Sequence, residues 1–305
     1  SMGSCFAEQI GNRLARLKFR HLLNPFGIVY HPLVIAMQLD ELSGRRQDLD
    51  LDHIFRGQGL WRHYAFHSRF ARPQATELRR LLAKQLGEGK ALLQQAEVLI
   101  LTFGTAYGYR LRETGKWVSN CHKQDAKLFV RERASLEQMV QALSDSLTYI
   151  RNIRPELQVL LTVSPVRHLR DGLIDNQRSK ALLVLSCEAL STQLAYVHYF
   201  PAYEYLLDDL RDYRFYGPDM LHPSPVAVDY IWKHFTTACW SAQTRALASR
   251  IEKLVQAAEH RPLHRSSEAF QRFQQQQREA IYVFQKEYPD FDFSRELSLL
   301  TSAKD

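Results

Sequence analysis

Two short and continuous apolar runs, EVLILTFGT and LQVLLTVSPV, constrain the fold of this chain more than any other feature. Each has the length of a strand and no alternation of polar residues, which is typical of strands buried on both faces. A third strand pattern, AYVHYFPAYEYL, follows them. Helical patterns, one around 136–150 and one over 176–195, separate the three. Alternating strands and helices predict a mainly parallel sheet covered by helices, which is an α/β fold.

The remaining elements of this fold are predicted from local signals. Helical spacing extends from Phe6 to about Lys18, begins again at Pro32, and recurs in TELRRLLAKQLGEGKALLQQA. We expect HLLNPFGIVYHP to be a short strand, broken by its proline and its glycine, and then a loop. The segment AYGYRLRETGKWVSNCHK predicts a hairpin with its turn at 113–116.

Two long, polar-rich helical patterns begin after Ser241, and no strand pattern separates them. We therefore predict an α/β domain over residues 1–240 and a helical extension over residues 241–305. Isolated helices of this composition are marginal in water, so their apolar residues must be buried. These residues are Leu247, Ile251, Leu254, Phe270, Phe273, Ile281 and Phe284. We expect them to pack on the α/β domain, the alternatives being a homodimer contact or a lid over the functional site.

The composition, with 45% hydrophobic and 24% charged residues, is typical of a folded soluble protein. The net charge of +7 is modest, and basic residues are mixed with acidic ones, so we expect no nucleic-acid partner. No apolar run is long enough to span a bilayer, and the first residues do not resemble a signal peptide. Four scattered cysteines suit a reducing compartment. We expect a cytoplasmic protein without membrane insertion, unless a natural N-terminal segment is missing from this sequence.

Functional sites in parallel sheets lie at the carboxyl ends of the strands. The predicted strands end at Gly104-Thr105, Ser164-Pro165 and Tyr203-Glu204. These ends should meet at one edge of the sheet, beside the start of the first helix.

The triplet Gly3-Ser4-Cys5 stands at that helix start and has two interpretations. In the first, Ser4 caps the helix and Cys5 packs in the core. In the second, the helix N-terminus lowers the pKa of a thiol and stabilises a nearby anionic oxygen. The second interpretation requires a base, a residue that orients the base, and an oxyanion site elsewhere in the chain.

The segment YGPDMLHPSP contains a candidate base. Asp219 and His222 are three residues apart, just before an apolar helical pattern. A nucleophile requires a base within hydrogen-bond reach, and that base requires an acceptor that fixes its tautomer. By residue type and spacing, His222 is a candidate for the base and Asp219 a candidate for the residue that orients it.

Several ordered motifs in residues 1–235 resemble those of the bacterial GSCFA-domain proteins. The motifs are GSCFAE, NPFGIVYHP, LTFGTA, SNCHK, TVSPVRH with a following N-x-x-S-K, and RDYRFYGPDMLHPS. That family itself looks like a branch of the SGNH (GDSL-like) hydrolase superfamily. The resemblance implies a three-layer α/β/α fold and the chemistry of an esterase or an acyltransferase, with an Asp-x-x-His pair as orienter and base. It implies no particular substrate.

The nucleophile follows from the register of this resemblance. The first block of the SGNH hydrolases is Gly-Asp-Ser, with serine as the nucleophile. Aligning Gly3 with that glycine puts Ser4 at the aspartate position and Cys5 at the nucleophile position. Cys5 is therefore the first candidate, and Ser4 is the alternative if the turn shifts by one residue.

The oxyanion site implied by the resemblance departs from the superfamily pattern. Gly27 fits the second block, where the absence of a side chain lets a backbone N–H approach the substrate oxygen. The third block reads Gly104-Thr105-Ala106, so its usual asparagine is absent. Asn120 could replace it, or could be an ordinary turn residue.

Several further polar residues are candidates for contacts with a substrate. His122 and His168 are expected to contact substrate or to be satisfied structural groups. Arg167 is a candidate contact for an anion or an acyl carrier, since guanidinium suits carboxylate or phosphate, although a surface salt bridge is the commoner role. Ser179 and Lys180 are expected to be exposed structural residues or functional ones. No tight ligand pair supports a metal site, and we expect no metal and no cofactor.

These observations predict an enzyme that hydrolyses or transfers an acyl group through a covalent intermediate on Cys5 or Ser4. The expected substrate is a small-molecule or glycan ester. The alternative, favoured by the missing aspartate and asparagine, is a binding protein on a decayed hydrolase scaffold.

Overall fold

The bounds of the secondary structure come from a computed structural model, which describes residues 1–47, 49–51, 53–261 and 267–301. The strands are β1 (Met2–Gly3), β2 (Phe55–Gly57), β3 (Leu60–Arg62), β4 (Val98–Phe103), β5 (Tyr107–Leu111), β6 (Trp117–Val118), β7 (Phe129–Arg133), β8 (Gln158–Val163) and β9 (Val197–Phe200). The helices are α1 (Cys5–Arg16), α2 (Pro32–Ser43), α3 (Ala75–Leu93), α4 (Leu136–Ile153), α5 (Gly172–Gln193), α6 (Ala202–Glu204), α7 (Pro225–Cys239), α8 (Ala242–Glu259), α9 (Glu268–Glu287) and α10 (Ser294–Thr301).

Residues Ser1–Gly11 and Leu22–Trp232 form the first of two compact units, which is built on a parallel sheet. Its strand order is β1-β4-β8-β9, and every neighbouring pair is parallel. Leu101 and Leu161, paired at the middle of β4 and β8, are fully buried. Helices flank the sheet, which confirms the predicted fold class and is consistent with three α/β/α layers.

The first strand of this sheet differs from the prediction. HLLNPFGIVYHP forms no strand, and its place in the sheet is taken by β1, where Gly3 pairs with Thr102. The reason is turn chemistry: the Gly27 N–H donates to the Asn24 carbonyl over 2.7 Å, with φ of 84° at Gly27. A side chain at Gly27 would also meet the Cβ of His67 at 2.2 Å. The prediction of a strand here was wrong, because glycine is required for a tight turn.

A second, antiparallel sheet has the order β6-β5-β7. Its β5–β6 pair confirms the predicted hairpin, with Tyr109 opposite Val118. Strand β7, which pairs along β5, and the small β2–β3 hairpin were not predicted. Helix α5 begins at Gly172, four residues before its predicted start at residue 176.

Helices make up the second compact unit, which comprises Asn12–His21 and Lys233–Asp305 and is described as far as Thr301. The two predicted polar-rich helices are present as α8 and α9, while α10 was not predicted. This division differs from a single boundary after residue 240, since an N-terminal segment belongs to the helical unit. Among the helices described, none is both long enough and apolar enough to cross a membrane.

A buried ion pair contributes to this helical unit. The ammonium of Lys18 lies 2.6 Å from a carboxylate oxygen of Glu296, whose side chain is 1% exposed. Lys18 also lies over the ring of Phe293, 5.0 Å from its centroid. Glu296 therefore depends on Lys18 for much of the compensation of its buried charge.

We expect Lys18→Met to lower the free energy of unfolding of the helical unit by about 3 kcal/mol, because it leaves a buried carboxylate with only its longer contact to Arg295, at 3.9 Å. Urea unfolding followed by circular dichroism measures the change. The double variant Lys18→Met/Glu296→Gln removes the uncompensated charge and should recover about half of the loss. A loss below about 1 kcal/mol in the single variant, within the range of an exposed pair, would contradict this account.

Candidate functional site

Ser4 lies at the carboxyl edge of the parallel sheet, between β1 and α1. Its hydroxyl oxygen accepts the Phe6 N–H over 3.2 Å, so Ser4 caps α1. The same hydroxyl donates to Ser164 Oγ over 3.0 Å, and Ser4 is 3% exposed. The cap and this bond commit the Ser4 hydroxyl to structure, as the first interpretation of the triplet expected.

Cys5 is the first residue of α1 and is partly exposed. Burial raises the pKa of its thiol, and the nearby Glu8 carboxylate raises it further, against a smaller opposite effect of the Cys5 backbone amide. The pKa of Cys5 is thus raised rather than lowered, because desolvation and Glu8 outweigh the backbone amide at the helix start. Cys5 is therefore a neutral thiol at pH 7 and requires a base before it can attack.

Asp219 and His222 form the geometry of a base and its orienter. The His222 Nδ1–H donates to Asp219 Oδ2 over 2.6 Å, while Asp219 Oδ1 accepts the backbone N–H groups of Leu221 and His222 at 2.9 and 3.0 Å. Those backbone bonds, followed by the imidazole bond, lower the pKa of Asp219 to about 2. A carboxylate that stays ionised fixes the imidazole tautomer and leaves Nε2 to accept a proton.

The loop that carries this pair is attached to the end of β8. The Arg167 N–H donates to the Leu221 carbonyl over 3.1 Å, and its guanidinium Nη1 donates to the Met220 carbonyl over 3.4 Å. The guanidinium also lies over the ring of Tyr216, 4.0 Å from its centroid. Arg167, predicted as an anion contact, is thus held beside the His222 loop.

His168 lies between that loop and the segment before α2. Its ring packs against Tyr30 with a centroid distance of 5.1 Å, and its Nε2 has no hydrogen-bond partner in the described part of the chain. Burial lowers the pKa of His168 to about 4, assisted by the charges of Lys180 and His222. The pKa of Tyr30 is raised mainly by burial, with Cys5 among the smaller contributors. Tyr30 and His168 thus lie within the electrostatic reach of Cys5 and His222 respectively.

Lys180 is a buried cation at the same edge. Its ammonium donates to the carbonyls of Gly104 and Ser164, each over 2.7 Å, and the residue is 1% exposed. Burial lowers its pKa to about 7. Ser179 is also buried, and its hydroxyl accepts the Ala106 N–H over 2.7 Å. The expectation of exposed residues fails because α5 begins earlier than predicted.

The sequence contains a signal that would have located this buried face of α5. Asn176, Ser179, Lys180 and Leu183 recur at helical spacing, and all four are buried. Of these four only Leu183 is apolar, and the buried Cys187 and Leu190 continue the same face.

The predicted oxyanion donors are mostly engaged in structural bonds. The Gly104 N–H donates to the Tyr30 carbonyl over 2.8 Å, and the Gly27 N–H is held in its turn. Thr105 Oγ1 bonds to Ser179 and accepts the Tyr107 N–H. The side-chain oxygen of Asn120 accepts the His122 N–H over 2.7 Å, which is the predicted turn role, and leaves the amide nitrogen as a donor.

His122 is a satisfied structural histidine. Its Nδ1 contacts Ser68 Oγ at 3.1 Å and its Nε2 contacts the His63 carbonyl at 3.0 Å. Burial lowers its pKa to about 4, so the ring is neutral at pH 7. This arrangement corresponds to the structural alternative rather than to substrate contact. Among the residues described, no group of three or more His, Cys, Asp or Glu side chains is arranged to bind a metal ion.

Fold and site together define an α/β protein with a thiol at a helix start and an aspartate–histidine pair, both at the carboxyl ends of a parallel sheet. Residues 1–235 match the model of the GSCFA family, and residues 251–303 match the GSCFA domain protein, C-terminal domain. The chain belongs to the GSCFA family. Comparison with curated proteins and with solved structures yields no match.

We expect Lys180→Met to change how stability depends on pH. The folded protein releases the Lys180 proton near pH 7, whereas the unfolded chain holds it to about 10.5. Between these values the unfolded state binds more protons, so this group makes stability rise with pH by up to about 1.4 kcal/mol per pH unit. The unfolding free energy of the wild type minus that of the variant should therefore increase from pH 7 to pH 9. Lys84→Met, at an exposed lysine of α3, is the control, and parallel curves for Lys180→Met would contradict the assignment.

Proposed function

We propose that this protein is an acyl-transfer enzyme, an ester hydrolase or an acyltransferase, with Cys5 as nucleophile, His222 as base and Asp219 as orienter. The observation that carries the proposal is the 2.6 Å bond from His222 Nδ1 to a carboxylate held by two backbone N–H groups. Such a pair presents Nε2 as a base for a neutral nucleophile. The proposed resemblance to the SGNH hydrolases agrees with it but is not needed for it.

Cys5 is favoured over Ser4 because of what each side chain already does. The Ser4 hydroxyl caps α1 and donates its proton to Ser164, so attack would cost both bonds. The Cys5 thiol is partly exposed and follows directly in the chain. Thiols are also intrinsically stronger nucleophiles and need less assistance from a base.

The proposed reaction has two stages. Cys5 Sγ attacks the ester carbonyl carbon while His222 Nε2 takes the thiol proton, and the departing alkoxide receives that proton as the acyl thioester forms. Water, or the hydroxyl of an acceptor, then attacks the thioester carbonyl and gives its proton to His222, which returns it to Cys5. Hydrolysis and acyl transfer differ only in which of these two acceptors reaches the thioester.

The developing oxyanion requires donors near Cys5. The backbone N–H of Cys5 and the amide nitrogen of Asn120 are the proposed donors, since the Phe6 N–H already donates to Ser4. Gly27 and Gly104 would have to give up the bonds to Asn24 and Tyr30 before their N–H groups could serve. Their engagement is also the observation that supports the rival proposal, a binding protein on a decayed hydrolase scaffold.

The substrate, the location and the oligomeric state of the protein are proposals as well. Small-molecule or glycan esters are the proposed substrates. The two-stage reaction proposed above uses no cofactor. The described cysteines are free thiols, which supports a reducing, cytoplasmic location. A homodimer through the C-terminal helices stays a proposal beside these.

We expect the wild-type protein to release nitrophenolate from 4-nitrophenyl acetate, and Cys5→Ala to abolish that release. His222→Ala should lower kcat/KM by about 100-fold or more, which is typical of a lost general base. His198→Ala is the matched control, since His198 is an exposed histidine of β9, and it should keep full activity.

Two outcomes would contradict the proposal. Full activity in Cys5→Ala would remove Cys5 from the reaction and return attention to Ser4. Absence of turnover in a correctly folded wild-type protein, by circular dichroism, would favour the decayed scaffold.

A further inference from the structure

Two arginines without carboxylate partners lie in the loop that follows β8. Arg167 and Arg170 flank His168, and neither has a carboxylate within 4.0 Å in the described part of the chain. Neighbouring cations behave differently, since Arg131 pairs with Asp171 and Arg178 with Asp175. The loop therefore carries two positive charges that no described carboxylate neutralises.

Arg167 is fixed on the side of the His222 loop. Its bonds to the carbonyls of Leu221 and Met220 anchor it, and the rings of Tyr216 and Tyr213 lie 4.0 and 5.6 Å from its guanidinium carbon. Contacts with carbonyls and aromatic faces orient a guanidinium but leave its full charge in place. Arg167 is thus held beside the loop of the proposed base, and its positive charge is not neutralised by these contacts.

Arg170 lies on the other side of His168. It is exposed, and its guanidinium carbon lies 5.6 Å from the ring centroid of Tyr109. Its charge opposes the effect of burial on the pKa values of both Tyr30 and Cys121. Arg170 is therefore within electrostatic reach of Tyr30, whose pKa is also affected by Cys5.

Two carboxylates near the site are already paired with arginines. Asp171 bonds to Arg131, whereas Asp219 bonds to His222, whose imidazole must be neutral to act as the base, so Asp219 keeps its negative charge. Glu8, one turn into α1, lies 3.3 Å from Arg69. Arg167 and Arg170 therefore add two positive charges beside the His222 loop and Tyr30, against the one carboxylate charge of Asp219.

We propose that Arg167 and Arg170 select an ester whose acyl or alcohol part carries an anionic oxygen group, a carboxylate or a phosphate. This inference rests on the proposed function, which it deepens by naming the class of substrate. Guanidinium binds such groups through paired N–H donors, and two neighbouring cations also raise the local concentration of anions. A neutral acetate ester would then be a poor substrate that reports the chemistry without the selectivity.

Alkylation of Cys5 by iodoacetate and by iodoacetamide tests the charge preference without any turnover. The two reagents are nearly the same size, and only iodoacetate is anionic. Both rates are measured on the intact protein by peptide mass spectrometry, with the exposed Cys239 of the same molecule as the reference thiol. The ratio of the iodoacetate rate to the iodoacetamide rate should be higher at Cys5 than at Cys239.

The variants Arg167→Ala and Arg170→Ala should each lower that ratio at Cys5 by about fivefold, in proportion to one lost charge at short range. Arg167→Lys and Arg170→Lys keep the charge and should keep most of the preference. Arg80→Ala, at an exposed arginine of α3, loses the same charge elsewhere and should leave the ratio unchanged. Raising the ionic strength from about 0.01 M to about 1 M should also weaken the preference, since the Debye length falls from about 30 Å to about 3 Å.

The outcomes separate this inference from the proposed function. Alkylation of Cys5 with the same ratio as Cys239, in the wild type and in both alanine variants, overturns the anionic substrate and leaves the nucleophile intact. Failure of both reagents to reach Cys5 overturns the inference and the proposed nucleophile together. A ratio that falls equally in Arg80→Ala would also overturn it, because the effect would then be one of net charge.

Discussion

The buried ammonium of Lys180 is the interaction on which the sheet edge depends. It joins the carbonyl groups that follow β4 and β8, at Gly104 and Ser164, with two bonds of 2.7 Å. A charge so deeply buried is costly, and its pKa of about 7 expresses that cost. Its two hydrogen bonds fix the ends of β4 and β8 relative to each other. Ser164 then receives the hydroxyl of Ser4, which fixes the turn directly before Cys5.

The proposed chemistry at this edge depends on two groups, the thiol of Cys5 and the oriented imidazole of His222. Burial and Glu8 keep Cys5 protonated, so the site differs from cysteine sites in which a helix N-terminus alone creates a thiolate. His168, whose pKa is about 4, contributes no charge at neutral pH. Proton transfer to His222 would therefore accompany attack rather than precede it.

The sequence predicted the parts of the fold that follow from apolar patterns, and missed the parts that follow from polar bonds. β4 and β8 are continuous apolar runs and were predicted near their observed bounds. β1 is two residues long, and nothing in its composition distinguishes it from a loop.

The same distinction applies to the site. The contact between Asp219 and His222 follows from a spacing of three residues in one loop, whereas their interpretation as orienter and base depended on the resemblance to the SGNH hydrolases. The burial of Lys180 depends on carbonyls that are 16 and 76 residues away in sequence. The engagement of the Gly104 N–H likewise depends on a contact with the distant Tyr30 that no local pattern encodes.

The most direct test of the central claim is to trap the acyl-enzyme. The wild-type protein is mixed with 4-nitrophenyl acetate, quenched in acid within the first turnover, and analysed by intact mass and peptide mapping. The account predicts a mass increase of one acetyl group, carried by Cys5 as a thioester that hydroxylamine removes. An acetyl group found on Ser4, or on no residue of the N-terminal peptide while nitrophenolate is still released, would contradict it.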